Sequence, residues 1–223
     1  MTVHLQRQVD KLKRMVLDLG DLVLRALDRA VDAVRRGDAQ LAVAVIRDDD
    51  RIDRQETEVE EECLHTLALH QPVAFDLRYV VATLKANNDL ERIGDLAGSI
   101  AERAQRLAAL PPAGEPPFDL ERMAKVARGM LADALDALVN VNPHTARAVC
   151  DAEVQVDDMH AQAFVNVQKR IRENPAQTDA MLQMLSVCRS LERIADHARN
   201  IAQDVLYTAQ GQVARHRPAD PRA

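Results

Sequence analysis

Residues 90–101 read LERIGDLAGSIA, and residues 191–202 read LERIADHARNIA. The two stretches begin 101 residues apart, and eight of their twelve positions (Leu, Glu, Arg, Ile, Asp, Ala, Ile, Ala) are identical. Unrelated segments of this length share about one position, so the match marks a duplicated unit. In both copies apolar residues recur at intervals of three and four: Leu90, Ile93, Ala97 and Ile100, then Leu191, Ile194, Ala198 and Ile201. That interval is the signature of a helix burying one face. Each half of the chain therefore carries the same buried helix, and the class is all-α.

Working outward, the helix breakers are sparse. Gly37 followed by Asp38 reads as a C-terminal glycine and then an N-cap, Pro72 interrupts HQPVAFD, PPAGEPPFD fills residues 111–119, Pro143 sits in NPH, and Pro175 sits in ENPAQ. These stops leave six segments of about 25 to 35 residues, each a helix of roughly 40 to 50 Å at 1.5 Å per residue. Between the stops run apolar stripes such as Leu12, Met15, Val16, Leu19, Leu22, Val23 and Ala26, or Leu77, Val80, Val81 and Leu84. Short connections make successive helices antiparallel neighbours. The expected architecture is two tandem three-helix bundles, residues 1–110 and 118–210, joined by a proline-rich linker at 111–117. A polar tail, 211–223, is expected to be disordered.

Composition supports the same class. Hydrophobic residues make up 47% of the 223 and aromatics only 2%, with no Trp, so the core is built from Leu, Ile, Val, Ala and Met, which suit helix-on-helix packing. A formal charge of -6, from 35 acids and 29 bases, removes the electrostatic motive for binding nucleic acid. No apolar run is long enough to span a membrane, and MTVHLQRQVDKLKRM lacks the apolar centre of a signal peptide. The expected location is the cytoplasm. Cys63, Cys150 and Cys188 are an odd number without C-x-x-C spacing, and all three read as small core hydrophobes.

The repeat also carries chemistry. Glu91 and Asp95 stand four residues apart in the first copy, Glu192 and Asp196 in the second, which places both carboxylates on one helical face beside the apolar seam. The preceding helix of each half has a matching pair: Asp49 and Asp53 in the first, Glu153 and Asp157 in the second. Antiparallel packing would gather four carboxylates in each half. Such a group repels itself, so it calls for solvent screening or a cation. Oxygen-only ligands suit hard ions such as Mg, Mn, Ca or oxidised iron.

Other acidic residues have simpler readings. Asp28 with Asp32, Glu58 with Glu62 and the run Glu60, Glu61, Glu62 are expected to be solvated faces. Asp157 and His160 have a D-x-x-H spacing that resembles half of a carboxylate-bridged dimetal site, but the first-half counterpart of His160 is Glu56. Arg92 and Arg193 are expected in interhelical salt bridges, and Asn88 and Asn200 in helix-capping or interhelical hydrogen bonds. No phosphate-binding glycine loop and no Ser/His/Asp constellation is visible.

The repeated LERI[GA]D on long helices, preceded by D-x-x-x-D or E-x-x-x-D, resembles the PhoU family, and the resemblance extends over nearly the whole chain. It is carried above all by PVAFDLRYVVATLKANNDLERIGDLAGSIAERA and SVCRSLERIADHARNIAQDV. The resemblance implies two three-helix bundles whose motif pairs bind multinuclear iron or another metal such as Mn, Mg or Zn. The implied ligands are Asp49, Asp53, Glu91 and Asp95 in one bundle and Glu153, Asp157, Glu192 and Asp196 in the other. It further implies a non-enzymatic negative regulator of the phosphate-starvation response that couples the ATPase of a phosphate ABC transporter to a sensor histidine kinase. Membrane proximity would come through those partners, and the family's helical surfaces are compatible with a homodimer. His197 and Arg199 depart from Leu96 and Gly98, which sets the two halves apart. The alternative class, a carboxylate-bridged di-iron oxidase or iron store, would demand E-x-x-H motifs on two helices of one bundle, and no such pair is present.

Overall fold

The structure, a computed structural model, describes residues 3–111 and 114–211. Among them are seven α-helices: α1 Val3–Arg36, α2 Ala39–Asp48, α3 Asp50–His70, α4 Ala74–Ala108, α5 Leu120–Asn140, α6 Pro143–Glu173 and α7 Thr178–Gln210. A turn of 3-10 helix, Pro175–Gln177, leads into α7. No strand occurs among the described residues. Residues 112 and 113 of the expected linker, and the expected disordered tail from 212 onward, lie outside the described residues.

The helix ends follow local chemistry. Gly37 takes the left-handed conformation (φ 63°) that ends α1, and the Asp38 carboxylate caps α2 by accepting from the Leu41 N–H at 2.9 Å. Asp119 caps α5 through the Arg122 N–H. Asn142 caps α6 through the His144 and Thr145 N–H groups, with Pro143 in the first turn, where its missing N–H is harmless. One expected segment is divided. Residues 39–70 form two helices that meet at Asp49, whose backbone stays in the right-handed helical region (φ −59°, ψ −37°) and whose carboxylate makes no capping hydrogen bond.

α1, the α2–α3 pair and α4 form the first bundle, and α5, α6 and α7 form the second. The most extensive packing in the molecule joins α4 to α7, so the two repeated helices lie against each other at the centre. α1 also packs on α5, where a Cβ added at Gly20 would stand 2.5 Å from Leu135 Cδ1. Glycine there lets the leucine rest on the α1 backbone. As a result one core runs through both bundles, from Leu12, Val16, Leu19 and Val23 on α1 to Ile93 and Ile100 on α4 and Leu191 and Ile194 on α7.

Several expectations are corrected by this packing. Leu77 belongs to an apolar stripe by spacing, yet it is 40% exposed; Tyr79, outside that stripe, is 2% exposed. Glu62 is no solvated residue, because it accepts from Lys11 Nζ at 2.5 Å across the α1–α3 interface. Asp28 does stand on a solvated face, as expected, and from there reaches Arg128 of α5 at 2.9 Å, tying the two bundles. Of the three cysteines, Cys63 and Cys188 are buried, and burial pushes each thiol up to about 12. Cys150 is half-buried.

Candidate functional site

The break at Asp49 positions the first acidic group. α4 passes alongside α2 and α3 with Gly94 and Gly98 facing the break. A Cβ at Gly94 would lie 3.1 Å from Ile52 Cγ2 and 3.5 Å from Asp49 Oδ1, and one at Gly98 would lie 3.9 Å from Asp49 Oδ2. Two glycines one turn apart thus let the helices close while leaving room beside the Asp49 carboxylate. In antiparallel register, Asp49 feels the charge of Asp95, and Glu91 that of Asp53. Glu56 accepts from Asn87 Nδ2 at 2.7 Å.

The electrostatics follow from this geometry. Burial, reinforced by the like charges of Asp53, Asp95, Glu91 and Asp50, pushes the Asp49 carboxyl up to about 6. Burial and Asp95 also raise Glu91, against the opposing pull of Arg92. Arg92 bonds Glu91 at 3.2 Å and Asp95 at 3.1 Å, both on its own helix, so the expected interhelical bridge is corrected to an intrahelical one. An open cavity of about 370 Å³ borders the group, lined by Asp49, Asp95, Gly98, Ser99, Glu102 and the pair Arg92 and Arg193.

The second group has the same register and a different content. Glu153 of α6 faces Asp196 of α7, and Asp157 faces Glu192. Where the first half has Gly98, α7 has Arg199, whose guanidinium bonds Glu153 through one terminal nitrogen and Asp196, at 3.3 Å, through the other. Its Nε is buried without a hydrogen-bond partner. Burial still raises Glu153, with Arg199 opposing, and burial and Asp196 raise Glu192, with His160 opposing.

The eight predicted residues therefore lie along the same helix interface of each half, four along the α2–α3 to α4 cleft and four between α6 and α7. The first set offers carboxylate oxygens, a half-buried Asp49 and adjoining space, the donor type a hard cation takes, with Arg92 lying on the exposed side of Glu91 and Asp95. The second set already encloses a cationic side chain, so its residues as placed do not fit a metal ion. As they stand, no group of three or more His, Cys, Asp or Glu side chains among the described residues is arranged to hold a metal. Binding in the first set would require Glu91 and Asp95 to give up Arg92.

One residue was missed by sequence reasoning. Asn87, fully buried, donates Nδ2 to both the backbone oxygen and the carboxylate of Glu56, while its Oδ1 has no partner. Asn88, the residue singled out from sequence, is exposed. Asn87 and Glu91 are one helical turn apart, and that spacing was the available signal.

These features define a class: a tandem helical-bundle protein with matched acidic pairs at the same helix interface of each half. The chain belongs to the PhoU family, since the family model described as PhoU domain matches residues 16–104 and 120–205. It is 34% identical, over 97% of its length and 86% of the relative's, to a Pseudomonas putida protein named phosphate-specific transport system accessory protein PhoU homolog. The crystal structure of PhoU from Pseudomonas aeruginosa superposes with a TM-score of 0.89 at 33% identity, covering 93% of this chain and 99% of that one. That of the phosphate transport system regulatory protein PhoU from Streptococcus pneumoniae gives 0.83 at 28% identity, covering 94% and 98%. The resemblance read from the repeat is thereby established.

Proposed function

We propose that this protein is an accessory regulator of a phosphate-specific transport system. It acts by docking rather than by turnover, at the cytoplasmic face, between the transporter's ATPase and a sensor histidine kinase. In that position it holds the phosphate-starvation response off when phosphate is plentiful and modulates phosphate uptake. The observation that carries this reading is the family match over both halves, together with relatives named as transport accessory proteins along nearly their full length. Among the described residues no helix is long and apolar enough to cross a membrane, which agrees with a role that reaches the membrane through partners.

Within this reading the first acidic group, Asp49, Asp53, Glu91 and Asp95, holds a hard metal ion. The bound ion supplies positive charge that ties the α2–α3 break to α4. The half-buried Asp49 and Glu91, repelled by the exposed Asp53 and Asp95, and the space left by Gly98 support it. The di-iron oxidase or iron store gains no support from relatives whose names concern phosphate transport.

Deleting the gene tests the regulatory role. A starvation-induced reporter should then stay on in phosphate-rich medium, and the restored gene should switch it off. A reporter that remains off in the deletion strain overturns the reading.

A further inference from the structure

The two acidic groups are related by the internal repeat, yet the position one turn beyond the motif aspartate is Gly98 in one and Arg199 in the other. At Gly98 the nearest atom to an added Cβ is an Asp49 carboxylate oxygen 3.9 Å away, so the space there is open. At Arg199 a guanidinium occupies the corresponding space, with one nitrogen on Glu153 of α6 and another on Asp196 of α7. Glu153 is 8% exposed, and the Arg199 side chain is 33% exposed with a buried Nε. A planar guanidinium held by carboxylates from two helices is a preorganised contact, unlike that of Arg92 in the first group, which is 60% exposed and bonds only Glu91 and Asp95 of its own helix, and a guanidinium cannot give up its charge at any ordinary pH.

We infer that Arg199 is a built-in counter-ion that takes the place of a metal ion in the second acidic group, so that the chain binds hard cations in its first half only. Rotation of the guanidinium out of the cleft would leave Glu153 without its partner, and a metal entering there must first displace that contact. His160, which faces Glu192 where the first half has Glu56, adds a second departure from an all-carboxylate group. The inference rests on the metal reading proposed for the first half, and the two can fail separately.

The test is the amount of Mn(II) bound per full-length chain, measured by equilibrium dialysis and elemental analysis. In the parent, Glu91→Gln should reduce bound Mn(II) at least tenfold, whereas Glu192→Gln should leave it unchanged. Arg199→Gly, which copies the first half, and Arg199→Ala, which keeps helix propensity, should each about double the Mn(II) bound, and adding Glu192→Gln to either should remove the gain. Loss of half the parent's Mn(II) on Glu192→Gln would overturn the inference, because the second group would then bind with Arg199 in place. So would Arg199 variants that fold, by circular dichroism, but bind no more than the parent. A parent without Mn(II) whose Arg199 variants gain it would overturn the first-half metal reading and uphold the role of Arg199.

Discussion

Asn87 of α4 spends its one amide group on Glu56 of α3 twice, donating to the backbone oxygen at 3.0 Å and to the carboxylate at 2.7 Å. The amide is fully buried, and burial with the charges of Glu60 and Asp53 raises the Glu56 carboxyl. Asn87→Ala removes the donor and leaves that carboxylate unsatisfied, a loss of about 1–3 kcal/mol. Asn87→Asp places a second negative charge against it and should cost more. Urea unfolding of both variants checks the order, and an Asn87→Asp as stable as Asn87→Ala would show that charge at this position is unimportant.

The Asp49 carboxyl predicts an unusual pH dependence. Its ordinary value is 3.8 and its folded value about 6, so between these the folded chain binds more protons than the unfolded chain. Stability should therefore fall as pH rises from about 4 to about 6 and stay low above that, by about 1–2 kcal/mol after allowing for solvent screening. Glu56, Glu91, Glu153 and Glu192 are raised in the same direction. Thermal melts of chelator-treated protein across this range should show the decline. Asp32 and Asp48, held low by arginines, act in the opposite sense, so the check is the difference between variants: Asp49→Asn should flatten the decline in part, and an Asp49→Asn profile parallel to the parent's would contradict the account.

Gly94 is predicted to tolerate no larger residue. An added Cβ would meet the Ile52 side chain at 3.1 Å and 3.2 Å, and Ile52 is itself 3% exposed, so a buried side chain must shift by a few tenths of an ångström even for alanine and by more for a larger residue. Gly94→Leu should destabilise by about 1–3 kcal/mol, the usual range for overpacking. The Ala195 counterpart in the second half accepts a Cβ, so the effect belongs to the Asp49 break and not to the repeat as such.

The central seam and the α4 stripe separate in a simple comparison. Ile93 and Leu191 are fully buried on α4 and α7, whereas Leu77 is 40% exposed. Ile93→Ala and Leu191→Ala should each cost about 2–5 kcal/mol, and Leu77→Ala within about 0.5 kcal/mol. Equal losses at Leu77 and Ile93, read from denaturation midpoints, would refute the packing described.

The helices, the cap at Asp38, the duplication and the matched acidic pairs were legible in the amino-acid order. They depend on interactions within a few residues, or on a pattern that repeats. The split at Asp49 was not legible, since no helix breaker stands there and the expected segment runs through it. That Asn87 rather than Asn88 serves Glu56, that Lys11 reaches Glu62, and that Arg199 falls between Glu153 and Asp196 all depend on how one helix is rotated and shifted against another. A heptad-like stripe leaves that rotation uncertain by about one residue, or 100°, which is the difference between a solvated side chain and a buried one. Sequence thus determined which residues compose the two acidic groups, while tertiary packing decided that one group stands open beside two glycines and the other is closed around an arginine.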